Sequence, residues 1–183
     1  DPGYVNFSIL IPQYGGVVVR YPTLESEGFV PNINGIADRV TPQTKVIVLN
    51  SPSNPTGAVC TEDFVKDLMV LARDNNLYIL SDETYEHIIF EGKHVSVGRF
   101  DTEGRVMTLF SFSKSYSMTG WRIGYVVVGS DEIAEALEKQ QEFYASCAPS
   151  ISQKAAEAAL KNPDSCIKEM VEAYRRRRDI VID

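Results

Sequence analysis

The chain has 183 residues, 44% of them hydrophobic and 23% charged, with 12 glycines and 9 prolines scattered along it. That is the profile of one ordinary globular domain, not of a disordered, collagen-like or low-complexity chain, and 18 basic against 25 acidic residues (net −7) leave no broad footprint for nucleic acid. Cys60, Cys147 and Cys166 lie far apart without disulfide or metal spacing, and no apolar run reaches the length of a membrane span, so a cytoplasmic protein with no metal, membrane or nucleic-acid partner is expected.

In chain order, a helical stretch from about Tyr4 to Gln13 meets a Gly15-Gly16 stop, and Val17 to Tyr21 reads as a short buried strand. Lys45 to Asn50 is a second strand, running into the turn-rich segment 51–57. Thr61 is placed to cap a helix through about Asn75, with Glu62 and Asp63 in its first turn. Leu77 to Ser81 is a third strand. After a loop rich in glycine and charge, from Glu91 to Arg105, come Val106 to Phe110 and Ile123 to Val128 as the fourth and fifth. Helical patterns then run from Asp131 to about Phe143, from Ser150 to Leu160, and from Pro163 to Asp183, where Ile167, Val171, Tyr174 and Val181 recur at helical spacing. The start lacks an initiator Met and the last helix lacks a stop signal, which suggests a piece of something longer. Strands separated by amphipathic helices predict an α/β fold, a three-layer αβα arrangement around a mostly parallel sheet covered on both faces.

In such sheets the ligand crevice lies beyond the carboxyl ends of the strands. Asn54 follows one strand, Asp82 and Tyr85 follow the next, and Ser111, Ser113 and Lys114 follow another. If those strands are adjacent and parallel, an amide, a carboxylate, a phenol, two hydroxyls and an amine share one rim. A lysine able to form a Schiff base, a carboxylate able to pair with a pyridinium nitrogen, and donors suited to a phosphate are together what pyridoxal 5′-phosphate requires.

The segments SNPTG (Ser53 to Gly57), SDETYEH (Ser81 to His87) and SFSKSYSMTGWRIGY (Ser111 to Tyr125) resemble the marker segments of class I/II aminotransferases of pyridoxal-phosphate fold type I, in their aspartate or aromatic branch. The resemblance implies amino-group transfer between an L-amino acid and a 2-oxo acid. Lys114 would hold the cofactor covalently and shuttle the proton, and Asp82 would keep the pyridine nitrogen protonated. Asn54 and Tyr85 would hydrogen-bond the phenolic oxygen, Ser111, Ser113 and Arg122 would bind the phosphate, and Tyr4 would stack on the ring. Each has a plainer reading: a surface lysine or arginine, turn residues for Asp82 and Asn54, core aromatics for Tyr85 and Tyr4.

By the same resemblance, residues 1–183 are part of the large cofactor-binding domain and end in the helix that leads to a small domain; the whole protein is a homodimer. The family's phosphate-binding turn, a tyrosine given across the dimer and the arginine that grips the substrate α-carboxylate fall outside these residues. Poor or no turnover is therefore expected of the chain alone. A lyase of the same fold, or a non-catalytic module, are the competing readings; a dinucleotide-binding fold is weaker because no GxGxxG follows a strand. His87 and His94 read as surface or satisfied histidines, and Arg175 to Arg178 as a solvated face with ion pairs.

Overall fold

The computed structural model describes residues 2–162 and 165–182. Its elements are α1 (Val5–Gln13), α2 (Ile33–Ala37), β1 (Val46–Asn50), α3 (Glu62–Asp74), β2 (Tyr78–Asp82), β3 (Val106–Ser111), α4 (Phe112–Ser115), β4 (Gly124–Val128), α5 (Asp131–Ala145), α6 (Ser150–Lys161) and α7 (Ser165–Ile182), with short 3₁₀ turns at Glu25–Glu27, Val97–Phe100 and Thr119–Trp121. The strands form one sheet in the order β1-β2-β3-β4. The first three run parallel and β4 returns antiparallel to β3. The fold is thus mixed α/β, with a mostly parallel sheet flanked by helices.

Local chemistry sets the ends of these elements. Thr61 caps α3, its Oγ1 accepting from the Phe64 N–H at 3.2 Å, and Glu62 and Asp63 occupy the first turn beside the positive end of the helix dipole. After α1, Gly15 takes φ +76°, where a side chain would be strained, while the Tyr14 and Gly16 amides close on the Ile11 carbonyl.

Strand alternation and helix period meet in a single core. Ile47 and Leu49 of β1, Ile79 of β2 and Val106 of β3 point to one side, where Phe64, Val65, Leu68 and Ala72 form the buried stripe of α3. Each strand steps to its neighbour in the same direction, and right-handed crossovers then lie on one face. Both α3 and the Val97–Phe100 turn accordingly cover the same side. On the opposite side Val46 and Tyr78 are exposed and Leu80 is half-buried.

One expected strand does not form. Val17 to Tyr21 joins no ladder, and Val17 and Val19 are 87% and 61% exposed. Its attachments are made elsewhere: the Tyr21 hydroxyl donates to the Val48 carbonyl at 2.9 Å, and Arg39 Nε donates to the Arg20 carbonyl at 2.8 Å. An apolar run becomes a strand only where it enters a ladder with a neighbouring backbone, and the sheet is made of β1 to β4. The last helix is present as α7; Pro163 and Asp183, the bounds expected for it, lie outside the described residues.

Candidate active site

The site grows from the carboxyl ends of the parallel strands. Register places Asn50 opposite Asp82 and Asp82 opposite Leu109, so β1, β2 and β3 end side by side. The Asp82 carbonyl accepts from the Ser51 N–H and from Asn50 Nδ2, both at 3.1 Å. Asn50 Oδ1 in turn accepts the Asn54 N–H at 2.7 Å, which folds the turn carrying Asn54 back to the rim. Asp82 is 9% exposed. Its Oδ1 accepts from the Thr84 N–H (3.1 Å) and hydroxyl (2.7 Å), an Asx turn that fixes the carboxylate; among the described residues none hydrogen-bonds Oδ2.

One strand over, β3 passes directly into α4. Ser111 caps that short helix, its Oγ accepting from the Ser113 N–H at 3.2 Å, and Lys114 follows on the first turn. Lys114 Nζ stands 5.7 Å from the centre of the Tyr85 ring. Both line a cavity of about 710 Å³, together with Ser113, Thr119 and, from α7, Tyr174 and Arg177. That volume suits a cofactor-sized ligand.

The antiparallel return of β4 sets Gly124 opposite Ser111 and so brings the preceding Arg122 to the same end of the sheet. Gly124 permits this approach, since a Cβ there would lie 2.5 Å from the Phe110 carbonyl oxygen. Thr119 braces the corner: its hydroxyl donates to the Ser113 carbonyl at 2.9 Å, and its own carbonyl accepts from Arg122 Nη1 at 3.0 Å. Asn54, Asp82, Tyr85, Ser111, Ser113, Lys114 and Arg122 therefore stand at one end of the sheet. Tyr4 is different. It sits before α1, 38% exposed, and its contacts are local, an edge-on ring contact with Phe7 at 5.8 Å and a hydroxyl that accepts from Asn6 Nδ2 at 2.9 Å.

Sequence reasoning missed Glu83. Fully buried beside Asp82, it accepts on Oε1 from the Ser81 hydroxyl (2.9 Å), the Ser96 hydroxyl (3.1 Å) and the Val97 N–H (3.0 Å), while its Oε2 lies 2.8 Å from His94 Nε2. His94 is thus a satisfied histidine at that nitrogen, and His87 is a surface one, 3.6 Å from Glu86. Glu86 is half-buried; loss of water pushes its carboxyl up to about 7 from 4.5, with His94 opposing the rise and Glu83 adding to it. The arginine run carries ion pairs such as Arg176 with Glu172, but Arg175 also donates to the Phe90 carbonyl at 2.6 Å and Arg178 lies 4.9 Å over the Phe90 ring. The cysteines are free, and burial pushes the Cys60 thiol up to about 11, leaving it unreactive. Among the described residues no helix is long and apolar enough to cross a membrane.

The profile of one family, "Aminotransferase class I and II", matches residues 1–183. This chain belongs to that family. The aminotransferase chain is 40% identical to the aspartate/prephenate aminotransferase of Thermus thermophilus over all of its own length and 48% of the relative's. It is also 40% identical to a probable aspartate aminotransferase of Methanocaldococcus jannaschii, over 99% of its length and 48% of the relative's. Among solved structures, the Thermus thermophilus aspartate aminotransferase with maleate superposes at a TM-score of 0.95 with 38% identity, covering the whole aminotransferase chain and 48% of that one. An aromatic aminotransferase from Pyrococcus horikoshii gives 0.93 with 36% identity, over 98% and 49%. The chain spans about half the length of the curated relatives it matches. The neighbours share fold type I, and members of the family use pyridoxal 5′-phosphate.

Proposed function

We propose that the protein carrying this chain transfers an amino group between an L-amino acid of aspartate or aromatic type and a 2-oxo acid, with pyridoxal 5′-phosphate as cofactor and Lys114 as the residue that holds it. The observation that carries the reading is the placement of Lys114 and Asp82 at the ends of adjacent parallel strands, on one rim. The donor set fits the cofactor: an amine (Lys114), a phenol (Tyr85) and hydroxyls line a cavity of suitable volume, and the fixed carboxylate of Asp82 and the guanidinium of Arg122 stand at the same end of the sheet. When bound, the cofactor supplies an aldehyde that joins to amines and a ring that withdraws electrons from the substrate α-carbon.

The remaining work falls to the chain. Lys114 Nζ would hold the cofactor covalently, its amine condensing with the aldehyde with loss of water, and once released by substrate it would carry the proton that leaves the α-carbon. Asp82 would pair with the ring nitrogen and keep a proton there, its Oδ1 being held by Thr84. Asn54 and Tyr85 would supply an amide N–H and a hydroxyl to the phenolic oxygen. Ser111, Ser113 and Arg122 would take the phosphate, Arg122 with a planar fork suited to two oxygens, and Tyr4 would stack on the ring. On this reading the 183 residues are part of the large domain and α7 leads toward a small one. A cytoplasmic homodimer serving amino acid metabolism is the setting implied, and it rests on the family alone.

Incubation with pyridoxal 5′-phosphate, reduction with borohydride and peptide mapping tests the reading. A single reduced adduct on Lys114, lost in Lys114→Ala, is expected. Label spread over surface lysines and unchanged in Lys114→Ala overturns it. Equimolar oxo acid and new amino acid among the products separate transfer from elimination.

A further inference from the structure

We infer that Glu83 is a positioning residue, a buried staple that holds the Tyr85-bearing wall of the cavity against Lys114; the inference rests on the function proposed above. A carboxylate with no solvent exposure is costly unless its lone pairs are met by donors, and an apolar side chain would fill the same space without that cost. Glu83 has four donors, and where they come from is the point. Ser81 belongs to the strand that leads into it, whereas His94, Ser96 and the Val97 N–H belong to a segment that returns after an irregular excursion. One side chain therefore closes the base of the loop 84–93.

Both feet of the staple stand on the sheet. The Glu83 N–H donates to the Leu109 carbonyl of β3 at 3.0 Å, extending the ladder one residue past Asp82. On the returning side, Gly98 lies so close to β3 that a Cβ would meet the Thr108 hydroxyl at 2.8 Å. The closed loop carries Tyr85, Ile88 and Phe90, all of which line the cavity. No regular secondary structure holds these residues in place. Their position relative to Lys114 is set by the closure at Glu83 and by the docking of Arg175 and Arg178 on Phe90. Opening the base would leave Asp82 in the sheet and release Tyr85, so Glu83 acts through Tyr85.

Hydrogen exchange and cofactor binding on Glu83→Ala, Tyr85→Phe and the double variant test this. Exchange across 84–93 is expected to rise about tenfold or more in Glu83→Ala, as the loss of hydrogen bonds to a charged group predicts, while β1 and α3 stay protected. Affinity for pyridoxal 5′-phosphate is expected to fall about tenfold, yet to fall little further when Glu83→Ala is added to Tyr85→Phe. A purely structural residue would give losses that add, and that result overturns the inference, as does unchanged exchange across 84–93. If the alanine variant loses protection everywhere, Glu83→Gln decides: it keeps an acceptor for the Oε1 donors and removes only the oxygen that faces His94 Nε2, so faster exchange confined to 84–93 supports the staple and unchanged exchange overturns it. Should wild type take no label at Lys114, the functional reading falls while the exchange result still decides the staple.

Discussion

Lys114 and Tyr85 come from the ends of neighbouring strands and meet across 5.7 Å, ammonium over aromatic ring. The contact is worth about 0.5–1 kcal/mol where water still reaches it. On the proposed function Tyr85 would have two separable duties, a ring for the amine and a hydroxyl for the cofactor. Tyr85→Phe is expected to keep the ring and cost about two- to tenfold in cofactor affinity, the range of one neutral hydrogen bond. Tyr85→Leu should cost more and also slow labelling of Lys114. Equal losses in the two variants, by fluorescence titration, would deny the hydroxyl any part.

Asp82→Asn isolates the charge. An asparagine can preserve the turn made with Thr84, so stability should stay within about 0.5 kcal/mol of wild type. Cofactor affinity should fall roughly tenfold to a hundredfold, the cost of losing a hydrogen bond to a charged group. Equilibrium dialysis checks the affinity and urea unfolding the stability; unaltered affinity would remove Asp82 from the ring nitrogen.

Two substitutions in α3 probe the frame and not the site. Thr61→Ala removes the cap on the Phe64 N–H and should cost about 1 kcal/mol. Leu68→Ala empties a fully buried position and should cost about 2–5 kcal/mol. Denaturant midpoints measure both, and the order of the two losses is the content of the prediction.

Glu86 makes stability depend on pH. Its folded value, about 7, lies above its ordinary 4.5, so the fold prefers the protonated acid. That preference contributes fully below about pH 4.5 and is lost as pH rises through about 7. Glu86→Gln should match wild type near the lower end and be the more stable above the upper end. Parallel unfolding curves for the two proteins at every pH would refute this.

The sequence disclosed what local pattern controls. Four strands announced themselves as apolar runs ending in turn residues, and Thr61 and its acidic neighbours announced α3. Lys114, Asp82, Asn54 and Ser111 could be listed because residues after parallel strands share a rim. Val17 to Tyr21 carries the same apolar signal and fails, because pairing is a property of the neighbour and not of the run. Glu83 gave no signal because three of its four donors lie 11 to 14 residues further on, across a loop without periodicity. Arg175 and Arg178 were legible as charge but not as clamps, since Phe90 is 85 residues from Arg175 in the chain.

The reversed direction of β4 turns the link between Ser111 and Gly124 into a ruler. β2 and β3 offer the cavity what comes after them, and β4 offers what comes before. Its register is pinned where only glycine clears the Phe110 carbonyl, so the reach of Arg122 is metered by backbone count. One residue inserted or deleted in that link would turn β4 over, inside to outside, and swing the guanidinium away from the Thr119 carbonyl it donates to. The link is thus constrained in length as well as in the side chains it carries to the site.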